Sequence, residues 1–580
     1  MSLLGRVQSR LPAPEGSPRI TVVQIILFVI LLTAVFTRFW RLGVPDQCYF
    51  DEVYFPTTGA EILKGDNRAW DFYGHENTHP PLSKELMALG MAIFGHADKA
   101  GDNGCWGDAE DEPKRTDPSW QYDPIGWRFF GALAGVGAVL FMYLLGRRLL
   151  DSEVAGLAAA ALLTFDGVAL AQARIATPDT YVLFFTLGAL YFLTKDRFLL
   201  SGLFFGAASA TKWIGAFTLG PIVLYLIYRL IKGIRETEPD ERMREVEGVM
   251  KVGARFGALA VAAGAVGWAF AAVGLLDNVL DGIDVVIGPL MGLLGAEVPE
   301  EGFVGIAFLM AAPLVICIGI LGAGVAAILI DAEWRSTPRG RLYIQTAAAL
   351  PLFFIVVPGL VYVATYIPML ANGHAHGFLG LGGLQDVWDL NVAAYNFHSH
   401  LTSPHGYSSD WYEWPIMRRP IYLYVNGSGD AKIYSFGNPA LFWLAIPALG
   451  FLLLRVWQGL NLRFRILDES GRVHVSGAFR LAQWPLLFVA LSYLLVWLPW
   501  ATQPRVLFIY HYLPALTFAV LALGYATHCL WRSNREWGRV AALGVVGLIA
   551  VTFVYFYPHW TAINVSRALE DSYYWFNTWR

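Results

Sequence analysis

The sequence predicts an all-α polytopic membrane protein of about thirteen transmembrane helices, and three observations predict it. Of 580 residues, 56% are hydrophobic and 15% charged, against roughly 25% charged in an ordinary soluble chain. The apolar residues fall in runs long enough to cross a hydrocarbon core, which takes about 20 residues. Lys and Arg gather in alternate loops, the asymmetry that sets orientation in a bilayer. This composition excludes a disordered chain, a coiled coil, a disulfide scaffold and an ordinary cytosolic enzyme. A net charge of −4 is too small to argue for nucleic acid or acidic partners.

Apolar runs lie at about 20–41, 127–147, 153–173, 177–194, 250–274, 303–330, 340–369, 439–457, 483–500, 504–531 and 538–558. The stretch 198–232 is too long for one helix and is interrupted at Thr211-Lys212-Trp213, which makes it two spans and the total thirteen. Residues 275–300 read as an interfacial or re-entrant piece. Placing the N-terminus 1–19 inside puts Arg147, Arg148, Lys195, Arg197, loops 229–251, 331–341 and 455–480, and Arg532, Arg535 and Arg539 together on the cytoplasmic side. The tail 559–580 is then outside. The first span ends in Arg38 and Trp40 without a small-x-small cleavage site, so it is expected to remain a helix.

The organisation is a first membrane half, 20–232, with external loop 42–126; an insertion, 250–330, whose Gly and Ala suit close helix packing; and a second half, 340–558, with external loop 370–438. Cys48 and Cys105 fall in the first loop, a pair able to form a disulfide in an oxidising compartment. No CxxC, P-loop or GxSxG motif appears.

The first loop opens on Cys48-Tyr49-Phe50-Asp51-Glu52-Val53-Tyr54-Phe55, an acidic pair among aromatics at the outer membrane surface. Partial desolvation raises the basicity of such a carboxylate, although an isolated pair of this kind more often caps a loop or makes a salt bridge. His79-Pro80-Pro81-Leu82-Ser83-Lys84 follows, and apolar residues at Leu82, Leu86, Leu89, Ile93 and Phe94 predict an amphipathic helix on the membrane. His79 and Lys84 are candidates to face an anion. Arg128, Arg174 with Asp179, Lys212 and Arg505 stand at the same membrane face, where ionisable groups are costly unless paired or used. Each alone snorkels to the interface; together they suit a lipid phosphate. The second loop offers His398 and His400, His405, and Trp411-Tyr412-Glu413-Trp414-Pro415, whose aromatic density suits sugar or peptide recognition, or else a structural lid. The histidines make only a weak metal motif.

These motifs, with Arg174-Ile-Ala-Thr-Pro-Asp179, Gly206 through Lys212-Trp213, Tyr407 through Arg419-Pro420 and Tyr510-His511-Tyr512-Leu513-Pro514, resemble in order and topology the protein O-mannosyltransferase family over 20–232 and 340–558. The resemblance implies a C-type glycosyltransferase fold, a polyprenyl-phosphate-mannose donor and Ser or Thr acceptors on exported proteins. It assigns catalysis to Asp51, as base, and Glu52, which would orient substrate or Arg38. Arg38, Arg128, Arg174, Lys212 and Arg505 become candidates for the donor phosphate. His79, Lys84, Asp179, His398, Trp411, Trp414 and Tyr512 become candidates lining the substrate. Fungal and animal members carry a β-trefoil in the large external loop. The 370–438 loop is too short for one, so the resemblance is to bacterial, actinobacterial-type members.

The expected site is extracytoplasmic at the plasma membrane, with export machinery as a further partner. A divalent cation, Mg or Mn, is left open, since Asp51 and Glu52 can act with one or without. Two other functions fit the same composition. One is a related C-type transferase acting on a lipid or cell-wall glycan. The other is a transporter or flippase, which would show inverted repeats and midplane charges.

Overall fold

The computed structural model describes residues 21–71, 77–95, 123–237, 247–248, 328–329, 331–371, 381–459, 462–466, 473–477, 483–503 and 505–580. Apart from 328–329, the insertion at 250–330 lies outside these residues, as does Cys105. Cys48 is disulfide-bonded.

The first helix, α1 (Val22–Phe39), begins at a capping box between Thr21 and Gln24. Ile25, Phe28, Val29, Leu32 and Phe36 are exposed along it, a distribution that suits lipid rather than water. A 3-10 turn (Phe50–Val53) carries the acidic pair, and α2 (Phe55–Lys64) and α3 (Leu82–Phe94) complete the described part of the loop. Helix α3 lies against α4 (Pro124–Leu149) through two facing glycines. A Cβ on Gly90 would stand 2.3 Å from the Gly126 carbonyl oxygen, so only bare backbone permits this approach.

The run expected as one span at 153–173 is two helices, α5 (Glu153–Thr164) and α6 (Gly167–Ala173), bent by 62°. Asp166 causes the break: its side chain accepts the Ala169 N–H and starts a new helix. Helices α7 (Asp179–Thr194) and α8 (Phe198–Thr211) have 16 and 14 residues, α7 starting two residues inside the expected 177–194 and α8 filling the stretch from 198 to the expected break. Beyond Thr211 the chain is extended at Lys212, turns in 3-10 geometry at Trp213–Thr218 and continues as α9 (Leu219–Glu236). The break therefore lies where the sequence places it.

Next come α10 (Pro338–Pro351), a π turn, α11 (Val357–Ala364) and α12 (Leu381–His400). Four apolar helices follow, α13 (Pro439–Gly459), α14 (Trp484–Trp497), α15 (Leu513–Trp531) and α16 (Glu536–Trp560), before a short helix at Arg567–Ser572. Among the described residues eight helical segments are long and apolar enough to cross a membrane, or nine with the bent pair as one span. The molecule is a multi-pass membrane protein of mostly helical fold. It is not purely α: β1 (Ile421–Val425) pairs antiparallel with β2 (Lys432–Ser435), and β3 (Leu462–Ile466) with β4 (Val473–Gly477).

The chain divides into two compact units. The larger comprises 1–222, 356–498 and 505–580 and contains every candidate site residue. In the smaller, 223–355 with 499–504, Arg339 and Glu247 form a buried ion pair at 2.7 Å, and Tyr343 packs with Ile328, Leu230 and Ile234.

Candidate functional site

The end of α1 leaves carbonyls without intrahelical partners, which Arg174 takes up, and Arg128 takes up those of the loop that follows. Arg174 donates through one terminal nitrogen to the carbonyls of Thr37, Arg38 and Trp40, and through the other to Arg41. Arg128 uses all five of its N–H groups. One goes to each of the Leu42, Pro45 and Gln47 carbonyls, and two go to the Glu52 carboxylate. Glu52 also accepts the Ala176 N–H at 2.9 Å. Arg38 is buried, donating to Thr37 Oγ1 and the Leu163 carbonyl, with Asp166 opposing its charge.

Four of the five cations expected at a donor phosphate are therefore buried, Arg38, Arg128 and Arg174 at the base of the loop and Lys212 against Asp179, and only Arg505 is partly exposed. Arg128, with every N–H engaged, presents none to a ligand. Glu52 faces Arg128 and not Arg38. This correction has a plain cause: a buried guanidinium without opposing oxygens is too costly to keep.

The adjacent Asp51 is partly exposed while Glu52 is fully buried. Its wall is Tyr510, in the 3-10 turn Ile509–Tyr512 that opens α15. Phe50 sets its ring edge against Tyr510 at 6.4 Å. Asp51, Asp179 and Arg505 are the charged groups that act on the Tyr510 hydroxyl. Lys212 Nζ sits 5.4 Å from the Tyr510 ring centroid, held by both Asp179 oxygens at 3.0 and 3.1 Å. The helix break at Lys212 and the first turn of α7 thus place one ion pair beside the tyrosine.

Arg505 donates to His398 Nδ1 at 2.6 Å, and His398 Nε2 lies 2.8 Å from the Thr78 carbonyl oxygen and 3.2 Å from His79 Nδ1. Burial, followed by the charge of Arg505, pushes the His398 imidazole down to about 4. Burial and then Lys212 hold His79 well below its ordinary value. Both rings are neutral near pH 7. Lys84 is buried and donates to Asn77 Oδ1 at 3.2 Å and the His79 carbonyl at 3.0 Å. It braces the loop that presents His79.

Of the aromatic candidates, Trp414 is fully buried, its indole N–H on Ser409 and its ring over His511 at 6.2 Å. Tyr512 is buried against Tyr493, with the two hydroxyls 3.0 Å apart. Both support the wall from behind. Trp411 packs edge-on to Trp497 at 4.9 Å. The structure thus brings Asp51, Asp179, Lys212, Arg505, His79 and His398 to one cluster. It sets Glu52, Arg38, Arg128, Arg174, Lys84, Trp414 and Tyr512 into its supports. Tyr510, the residue around which the cluster turns, carried no role in the sequence reading. Its signal was an aromatic and His run just past Arg505.

Among the described residues no three His, Cys, Asp or Glu side chains converge as a metal cage. Asp179 is committed to Lys212 and Glu52 to Arg128.

A family profile described as "Dolichyl-phosphate-mannose-protein mannosyltransferase" matches residues 28–239, and one described as "C-terminal four TMM region of protein-O-mannosyltransferase" matches 383–579. The chain is 25% identical to a polyprenol-phosphate-mannose--protein mannosyltransferase of Mycobacterium tuberculosis, over 96% of this chain and 92% of the relative. It is 24% identical to the protein so named in Mycolicibacterium smegmatis, over 95% and 92%. Among solved structures, the fold resembles the S. cerevisiae protein O-mannosyltransferase Pmt1-Pmt2 complex bound to the sugar donor, with a TM-score of 0.62, 13% identity, and coverage of 97% of this chain and 93% of that chain.

Proposed function

The chain belongs to the protein O-mannosyltransferase family, and from that premise we propose that it moves mannose from a polyprenyl-phosphate-mannose lipid to Ser or Thr hydroxyls of exported proteins, with Asp51 as the general base. The supporting observation is the contrast within the acidic pair: Glu52 is locked on Arg128, while Asp51 is partly exposed beside Tyr510.

In this reading Asp51 takes the proton of the acceptor hydroxyl as its oxygen attacks the anomeric carbon. A new C–O bond forms opposite the breaking bond to phosphate, so the configuration inverts. The polyprenyl phosphate leaves with the electron pair, and a cation must meet the charge that develops. Arg505, partly exposed, is that cation, while Lys212 is held in its ion pair with Asp179 along the same wall. The carboxylates near Asp51 oppose cations of the chain itself, Asp179 on Lys212 and Glu52 on Arg128. The basic loops face the cytoplasm and the site opens outside the plasma membrane, where export machinery delivers acceptors.

The test is transfer in membranes containing the full chain, with polyprenyl-phosphate mannose and with peptide and glycan acceptors side by side. Mannosylated peptide is expected, and Asp51→Asn should retain the fold and lose transfer. Wild-type rates in Asp51→Asn would overturn the base assignment, and transfer to glycan alone would overturn the acceptor class.

A further inference from the structure

The hydrogen bonds around His398 admit one protonation state. Arg505 is a permanent donor, so His398 Nδ1 must offer a lone pair; the Thr78 carbonyl is an acceptor, so Nε2 must carry the proton. The ring is the neutral Nε2–H tautomer. Its plane is also fixed. His79 stacks on it at 4.8 Å and 20°, Phe55 stacks on His79 at 5.9 Å and 8°, and Trp213 meets it edge-on at 6.0 Å.

Helix α12 is pinned at a second point on the same face. Asn391, two turns before His398, accepts the Tyr362 hydroxyl at 2.5 Å, and Tyr362 accepts the Trp213 indole N–H at 2.9 Å. Trp213 follows Lys212 directly. One side of α12 therefore ties Arg505 to the helix break that carries the other cation of the cluster. Docking α12 alone does not require the Arg505 bond, since Asn391, Thr78 and the ring stack already supply contacts.

We propose that His398 is a positioning residue that aims the Arg505 guanidinium at the leaving phosphate, by accepting one of its N–H groups at Nδ1 while its own Nε2–H is anchored on Thr78. The inference rests on the reading of Arg505 above. Aiming matters because a planar guanidinium binds phosphate through paired N–H groups whose direction is set by the ring plane. Arg505 Nε also donates to the Val506 carbonyl at 3.4 Å, so the His398 acceptor adds a second fixed point that sets the direction of the guanidinium plane, and losing it loosens that fit.

The two ring nitrogens can be replaced separately. Asn puts an acceptor oxygen near the Nδ1 position, and Gln puts an amide N–H near Nε2. His398→Asn, which keeps an acceptor for Arg505 but loses the Thr78 anchor, is therefore expected to lose less transfer and less donor affinity than His398→Gln. His398→Gln and His398→Ala should each lose about tenfold or more in transfer, the range for a hydrogen bond to a charged group. Arg505→Ala should lose at least as much, and His398→Ala combined with Arg505→Ala no more than Arg505→Ala alone. Thermal unfolding of each purified variant separates lost folding from lost aim. Arg505→Ala impaired with His398→Gln matching wild type, or additive losses in the double variant, would overturn the positioning role and leave the Arg505 reading standing. Arg505→Ala at the wild-type rate would overturn both.

Discussion

Glu52 and Arg128, 76 residues apart in sequence, meet as a two-point ion pair with both side chains fully buried, at 2.8 Å from Nε to Oε1 and 2.7 Å from the terminal nitrogen to Oε2. The pair joins the loop after α1, the start of α4 and the turn at Ala176 in one knot. Asp51, next to it in the same turn, is partly exposed where Glu52 is fully buried.

Breaking this pair leaves an uncompensated charge in the protein interior. Glu52→Gln, which leaves the Arg128 charge unopposed, should destabilise the fold by about 3–5 kcal/mol, and Arg128→Lys, which keeps the charge but leaves loop carbonyls unsatisfied, by about 1–3 kcal/mol. Lys cannot replace a guanidinium that uses five donors. The measure is thermal unfolding of detergent-purified protein. A variant of either kind with unaltered unfolding and lost donor binding would restore a ligand-facing role to these residues.

Arg174 tests the same distinction at a neighbouring place. Its donors close the end of α1 on the carbonyls of Thr37, Arg38, Trp40 and Arg41. Arg174→Lys should lower thermal stability by about 1–3 kcal/mol through carbonyls left unsatisfied, with donor KM unchanged in the folded fraction. A raised KM at unchanged stability would contradict this.

What the sequence could and could not reveal follows from how each feature is encoded. A bilayer demands apolar length, so most spans and the Lys212 break are visible in the chain itself. A charge shows its face of the membrane but not its partner. Arg128, Arg174 and Arg505 could therefore be set at one face but not given partners: Arg174 takes the carbonyls at the end of α1, and Arg128 those of the loop after it together with Glu52. The bend in the 153–173 run had a local sign, Asp166 within an apolar run, which is a helix-start residue. The β1–β2 hairpin had one too: Ile421-Tyr422-Leu423-Tyr424-Val425 followed by Asn426-Gly427 is a β-rich run before a turn dipeptide. The helical expectation elsewhere masked it.

Metal dependence follows from the side chains around Asp51. With Asp179 and Glu52 each holding a cation, a divalent ion would find one carboxylate rather than a cage. Transfer should persist after exhaustive chelation, assayed with chelator present throughout. Loss of activity restored by Mg or Mn would show that an ion enters with the donor.

Glu85, in the first turn of α3, gives the fold a pH dependence of its own. Burial pushes its carboxyl up to about 7 from an ordinary 4.5, with Lys84 opposing the rise. A group whose pKa is higher in the folded state binds its proton more tightly there. Its contribution is full below about 4.5 and is lost as pH rises through about 7. Glu85→Gln keeps a neutral, hydrogen-bonding side chain at every pH. The gain in melting temperature of Glu85→Gln over wild type should therefore grow between pH 4.5 and 7 and level off above it, in thermal scans of purified protein. A difference that stays constant across that window, or that shrinks as pH rises, would place the titrating group elsewhere.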